Sequence, residues 1–183
     1  YGDYDIIGNS YKIGDYGADQ LSKGILRNKI LQKLSLSKNL IYNNGAISLA
    51  NAITSSGSLK SFRINDTPIG PMGSKSMGDM ILQNDSLTYI DLSNVDLLRN
   101  NDASGYGAIV SGIMKNKVLK HICLRNNGIN DMMAIDMVQA LLSNLCMDHV
   151  DLIGNNIPAR WFKSDRYFET KISRKTPSIT TRL

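Results

Sequence analysis

The stretch that decides the fold is Leu31-Gln32-Lys33-Leu34-Ser35-Leu36-Ser37-Lys38-Asn39-Leu40-Ile41, because its apolar pattern recurs along most of the chain. Apolar residues occupy the first, fourth, sixth and eleventh places. The pattern starts again at four later points, with spacings of 28, 28, 32 and 28 residues, at Leu59, Leu87, Leu119 and Met147. An earlier copy of 30 residues starts at Tyr1. A fixed period of this length predicts stacked units that bury their apolar faces against one another.

Each copy changes its periodicity halfway along. The first half alternates apolar and polar residues, as in Leu34-Ser35-Leu36, which is typical of a short strand with one buried face. The second half has apolar pairs four residues apart, as in a helix with one buried side. These pairs are Leu49 and Ile53, Met77 and Ile81, Ile109 and Ile113, and Met137 and Leu141. The sequence therefore predicts an α/β fold with a parallel sheet on one side and helices on the other.

The repeat resembles the leucine-rich repeat family, and within it the ribonuclease-inhibitor-like class with one helix per repeat. The match is L-x-x-L-x-L-x-x-N-x-I followed by G-A-x-x-L-A-x-A-I, which the chain carries from Leu31 to Ile53. This resemblance implies a solenoid with a curved parallel sheet on its concave side and helices on its convex side. The class includes enzyme inhibitors, immune-receptor sensor domains, a GTPase-activating protein and actin-filament capping proteins of the tropomodulin kind. The fold therefore does not select a function.

Two regions follow from the repeat. We expect residues 1–157 to form a leucine-rich repeat domain, with five and a half copies that start at positions 1, 31, 59, 87, 119 and 147. Residues 158–183 form a basic C-terminal segment. An apolar helical stripe that begins at Trp161 predicts a capping helix over 159–173, and the polar residues 174–183 predict a flexible tail. The first copy has no polar cap before it, so we expect the chain to be part of a larger protein or assembly.

The ninth place of a copy is asparagine at four positions, namely Asn9, Asn39, Asn127 and Asn155. A side-chain amide there can satisfy backbone groups where the chain turns out of the strand. Thr67 and Val95 break this pattern. The copy that contains Val95 is also four residues longer, in the polar run 98–104. We expect a loop that bulges at the rim of the solenoid, the alternative being neutral drift in a surface loop.

The outward-facing strand residues follow from the register, and we expect them to bind a protein partner. Together with the rim loop, they provide nine candidate partner-binding residues: Lys33, Arg63, Tyr89, Asp91, Arg99, His121, Arg125, His149 and Asp151. Tyrosine and arginine are favoured as interface anchors. The alternative is a solvated sheet face that is polar only because it lies in water.

The two histidines of the chain fall at the same place of neighbouring copies, as His121 and His149. Neighbouring strands lie about 4.8 Å apart, so the two imidazoles could share a transition metal, and a Cys-His-Asp nucleophile can be drawn with Cys123 and Asp91 or Asp151. An open sheet offers no pocket and no oxyanion donors, so neither chemistry is favoured. We expect no enzymatic activity, no metal, no cofactor and no small-molecule substrate.

The net charge of +5 is unevenly distributed. Residues 158–183 contain seven basic and two acidic residues, which leaves fourteen of each sign in the repeats. A neutral body does not favour nucleic-acid binding. No apolar stretch approaches the roughly 20 residues of a membrane span. Cys123 and Cys146 fall in different layers, which argues against a disulfide and for a cytoplasmic location.

These observations predict a non-catalytic protein–protein interaction module. Its partner would bind the concave strand face and the rim loop, inside a larger protein or assembly. The alternative is a regulator of a GTPase or of cytoskeletal filaments, as the resemblance to GTPase-activating and filament-capping proteins implies. No residue-level motif carries either activity over to this chain.

Overall fold

The computed structural model describes residues 11–158, in which five helices alternate with five strands of three residues each. The helices are α1 (Asp15–Arg27), α2 (Asn43–Thr54), α3 (Gly70–Gln83), α4 (Ser104–Lys115) and α5 (Asp131–Ser143). The strands are β1 (Lys33–Ser35), β2 (Ser61–Arg63), β3 (Tyr89–Asp91), β4 (His121–Cys123) and β5 (His149–Asp151). Asn9, the predicted capping helix over 159–173 and the predicted tail lie outside the described residues.

The five strands form one parallel sheet in chain order, β1-β2-β3-β4-β5. Their register joins equal places of successive copies, so that Lys33 pairs with Ser61 and Ser61 pairs with Tyr89. The α/β architecture and the parallel sheet predicted from the repeat are confirmed. A shift of one residue in this register would turn every buried side chain to the opposite face.

The repeating apolar places form the core. In the copies that start at Leu59, Leu87 and Leu119, every side chain at the first, fourth, sixth and eleventh places is at most 2% exposed. The predicted helical pairs are buried against them, with Leu49 and Ile53 fully buried and Leu141 6% exposed. Burial of apolar surface is worth about 25 cal/mol per Å², so these continuous rows are the main source of stability.

The asparagines of the ninth place bind the backbone as predicted. The Asn127 amide donates to the Leu92 carbonyl oxygen at 2.7 Å, and its oxygen accepts the N–H of Val95 at 3.1 Å. Asn127 thereby satisfies the backbone of the preceding copy, where Val95 has no polar side chain. Thr67, which also breaks the asparagine pattern, donates its hydroxyl to the Ile64 carbonyl. The turn therefore keeps its hydrogen bonds at both irregular positions.

A second asparagine ladder, which was not predicted from the sequence, lies where each helix ends and the chain turns toward the next strand. Asn28, Asn84, Asn116 and Asn144 each follow the last residue of a helix. The Asn116 oxygen accepts the N–H groups of Val118 and Leu119 at 2.8 and 2.7 Å. Its amide donates to two carbonyls of the preceding copy, at 2.6 Å to Ile81 and 2.9 Å to Asn84. These side chains satisfy the unpaired groups at the helix ends.

Helices α3 and α4 approach closely because each has a glycine in the contact between them. A Cβ atom at Gly78 would lie 2.5 Å from the Ile109 nitrogen. A Cβ atom at Gly105 would lie 2.8 Å from the Pro71 oxygen. No larger side chain fits at either position without moving a backbone segment.

The run 98–104 is anchored to the body at both ends. Leu98 packs against the core, and Arg99–Asn101 form a turn of 3-10 helix. Arg99 makes an ion pair with Asp96. At the far end the Asp102 carboxylate accepts the Ser104 N–H at 2.8 Å, and this bond lowers the pKa of Asp102. The inserted residues thus form an ordered connection to α4.

Candidate functional site

The side chains at the third and fifth places line the sheet face opposite the helices, which we call the open face. The third-place row is Lys33, Ser61, Tyr89, His121 and His149, and the fifth-place row is Ser35, Arg63, Asp91, Cys123 and Asp151. All seven candidate residues predicted on the strands therefore lie on one surface. Arg125 follows β4, and Arg99 lies in the connection between β3 and α4, beyond the strands.

At the centre of the open face, Arg63 lies over the ring of Tyr89. The guanidinium carbon is 5.1 Å from the ring centroid, a distance that allows a cation–π interaction. The Tyr89 hydroxyl is 3.5 Å from the sulfur of Cys123. Burial, and then the bond to Cys123, raises the pKa of Tyr89, so the phenol is neutral at physiological pH. Tyr89 therefore contacts a side chain on each neighbouring strand.

Cys123 is a protonated thiol in this setting. Burial raises the pKa of Cys123 above its ordinary value, and the nearby carboxylates Asp91 and Asp151 act in the same direction. A thiolate, which is the nucleophilic form, is therefore disfavoured. Cys146 lies in the turn before β5, and neither cysteine forms a disulfide.

The carboxylates of the fifth place have a structural role. Asp91 accepts the N–H of Ser93 and Asp151 accepts the N–H of Ile153, both at 3.1 Å. These bonds hold the turn that leaves each strand. Similar Asx turns are common where a chain reverses direction.

Two of the predicted partner-binding cations already have an acidic partner in the chain. Arg125 donates from Nε to Asp151 at 2.7 Å, and this bond raises the pKa of Arg125. Asp151 is only 7% exposed, so the pair is held at the surface of the core. Arg99 is likewise paired, with Asp96. Sequence reasoning placed both arginines correctly but could not show that they are engaged.

His121 and His149 lie side by side, with ring centroids 6.2 Å apart and ring planes inclined by 48°. The adjacency predicted from the register is confirmed. Between Tyr11 and Pro158, no group of three or more His, Cys, Asp or Glu side chains is placed to hold a metal ion. The pair continues the row of ring side chains that begins at Tyr89 along the third place.

Two features of this face were not identified from the sequence. The contact between Tyr89 and Cys123 follows from the diagonal neighbourhood of third and fifth places on adjacent strands, so the register contained the signal. Lys60 precedes β2 and is exposed, whereas Lys120, at the same place 60 residues later, donates to the Cys146 carbonyl at 2.9 Å. This difference depends on tertiary packing and has no signature in the sequence.

Comparison with known proteins gives a structural likeness. No protein-family model matches the sequence, and no curated protein matches it. Among solved structures, leiomodin-1 actin-binding site 2 (ABS2) is similar, with a TM-score of 0.63 and 13% sequence identity. The similarity covers 74% of this chain and 76% of that chain. At this identity the likeness shows a shared leucine-rich-repeat-like fold.

Within residues 11–158, none of the helices has the length and apolarity needed to cross a bilayer.

Proposed function

We propose that the chain is a leucine-rich repeat solenoid of the ribonuclease-inhibitor-like class and acts as a non-catalytic protein-binding module. The open face and the rim loop form its binding surface. The observation that supports this most is the position of Arg63 over Tyr89 at the centre of the face. Arginine and tyrosine dominate the energetics of protein interfaces when a rigid scaffold presents them. The paired strands provide that scaffold.

The arrangement of polar groups supports a binding role over catalysis. Catalytic nucleophiles need a lowered pKa or an adjacent base. Burial and neighbouring carboxylates raise the pKa of Cys123 instead. The carboxylates of Asp91 and Asp151 are bound to turn N–H groups. These groups stabilise the surface on which a partner would rest.

Actin is the partner that we propose to test first, because the structurally similar leiomodin-1 segment is an actin-binding site. This proposal follows the filament-regulator alternative, which the family resemblance implies. The GTPase-regulator alternative stays a prediction, since none of the contacts described above favours it.

Co-sedimentation of the 183-residue chain with actin filaments tests this function. We expect the chain to pellet with filaments. The variant Tyr89→Ala with His121→Ala should bind at least about 30-fold more weakly, because removing an interface anchor costs about 2 kcal/mol or more. The control is Tyr16→Ala, which removes an exposed tyrosine from α1. A chain that stays in the supernatant would exclude actin, and equal binding by all three proteins would exclude the open face.

A further inference from the structure

The basic residues on the open face, or directly before or after its strands, include two groups that differ in whether another group of the chain binds them. The group beside β4 is engaged within the chain, because Lys120 binds the Cys146 carbonyl at 2.9 Å and Arg125 binds Asp151 at 2.7 Å. The group beside β2 consists of Lys60 and Arg63, which are both exposed. Neither forms an ion pair with any residue of the described range 11–158.

The acidic residues nearest in the register do not neutralise the second group through ion pairs. Asp91 lies opposite Arg63 on β3, yet Arg63 lies over Tyr89 and no ion pair joins the two. Asp66, which follows β2, has both carboxylate oxygens bound by amides, those of Asn65 at 2.8 Å and Asn94 at 3.0 Å. No acidic residue between positions 11 and 158 therefore occupies the donors of Lys60 and Arg63, which can bind an external acceptor.

Lys33 on the neighbouring strand β1 is also exposed, and it pairs in register with Ser61, the residue after Lys60. It therefore adds a third positive charge beside Lys60 and Arg63.

We propose that Lys60 and Arg63 form the contact for an acidic segment of the protein partner, with a carboxylate on the Arg63 guanidinium. This inference rests on the proposed function, since it names the chemistry of the partner that the open face accepts. A guanidinium forms two parallel hydrogen bonds to a carboxylate, and the Tyr89 ring restricts the motion of the Arg63 side chain before binding. The neutral phenol of Tyr89 adds no repulsion toward an anion.

A fluorescein-labelled twelve-residue peptide of alternating Glu and Ser serves as the probe, and fluorescence anisotropy with the full 183-residue chain measures its affinity. We expect Lys60→Glu with Arg63→Glu to weaken binding at least tenfold in 50 mM NaCl, and binding by the unaltered chain to fall steeply at 200 mM NaCl. The matched control is Lys115→Glu with Lys117→Glu, which makes the same change in net charge at two exposed lysines around the end of α4. We expect it to change the affinity less than twofold.

If both double variants bind the peptide equally weakly, only net charge matters and the proposal is overturned. An unchanged affinity of the Lys60 and Arg63 variant would also overturn it. If charge reversal prevents folding, the neutral pair Lys60→Gln with Arg63→Gln is measured instead and should still weaken binding at least fivefold. Peptide binding at Arg63 without filament binding would retain the acidic contact and exclude actin. Filament binding that survives both charge variants would exclude the acidic contact and retain the binding module.

Discussion

The side-chain amide of Asn116 donates to the main-chain oxygen of Asn84, 2.9 Å away in the preceding copy. Asn144 binds Asn116 in the same manner, at 2.8 Å. Each asparagine thus joins its own turn to the turn of its neighbour. This asparagine ladder joins successive copies by hydrogen bonds, in addition to the contacts of the apolar core.

Replacement of Asn116 by alanine tests the contribution of the asparagine ladder to stability. Asn116 is 5% exposed and makes four hydrogen bonds to main-chain groups. Since a buried polar group left without its partner costs about 1–3 kcal/mol, we expect a loss of about 3 kcal/mol or more. Urea denaturation followed by circular dichroism measures it. The control Asn51→Ala alters an exposed asparagine of α2, and a loss there equal to that at Asn116 would contradict the prediction.

Replacement of Leu92 by alanine tests the apolar register. Leu92 follows β3 at the sixth place and is fully buried. Removing a buried leucine side chain costs about 2–5 kcal/mol, because the cavity is only partly filled by relaxation. Thermal melts should show this loss, whereas Leu82→Ala, at a residue that is 38% exposed, should cost less than half as much. A loss below about 1 kcal/mol at Leu92 would contradict the register.

Two glycines allow a direct test of the close approach between α3 and α4. Gly78→Ala places a Cβ atom 2.5 Å from the Ile109 nitrogen, so we expect a loss of about 1–3 kcal/mol from overpacking. Gly107, within α4, has nothing within 4 Å of its added Cβ. Gly107→Ala should therefore stabilise the protein by about 0.5–1 kcal/mol through helix propensity. Denaturation curves measure both variants, and a Gly78→Ala variant as stable as Gly107→Ala would contradict the close approach of the two helices.

The apolar positions and the strand register could be predicted from the sequence because both depend on a local period. Phe62 and Ile90 are buried where the fourth place predicts them, and they pair across β2 and β3. The asparagine ladder of Asn84 and Asn116 was missed although it has the same period. These asparagines bind carbonyl oxygens of another copy, and the pattern of apolar residues does not indicate where those oxygens lie.

The sequence predicted which residues of the candidate site lie next to each other, but not which side chains interact. The third and fifth places correctly brought Tyr89 next to His121 and Asp91. Whether a charge lies free or is paired depends on rotamers, which a period of 28 residues does not encode. Arg125 and Arg63 illustrate this, since one binds Asp151 and the other lies over Tyr89.

The histidine pair should not act as a metal site. His121 and His149 are adjacent, but no third His, Cys, Asp or Glu ligand joins them in a suitable group among the described residues. We expect micromolar zinc to leave the melting temperature unchanged, because two ligands on an open face bind zinc weakly. Differential scanning calorimetry with and without zinc measures this. A zinc-dependent rise that disappears in His121→Ala with His149→Ala would show that the pair binds the metal.

The two cysteines provide a test of the electrostatics at the open face. Burial raises the pKa of Cys123 above its ordinary value of 9.0, so its reaction with iodoacetamide should still accelerate as the pH rises past 9. The hydrogen bond from Tyr89 lowers the pKa of Cys123, and Tyr89→Phe should therefore slow the reaction at a fixed pH of about 8.5. Peptide mass spectrometry follows both cysteines in one sample, and Cys146 serves as the internal control. A Cys123 rate that levels off below pH 9, or that Tyr89→Phe leaves unchanged, would show that the thiol does not lie in the buried contact with Tyr89.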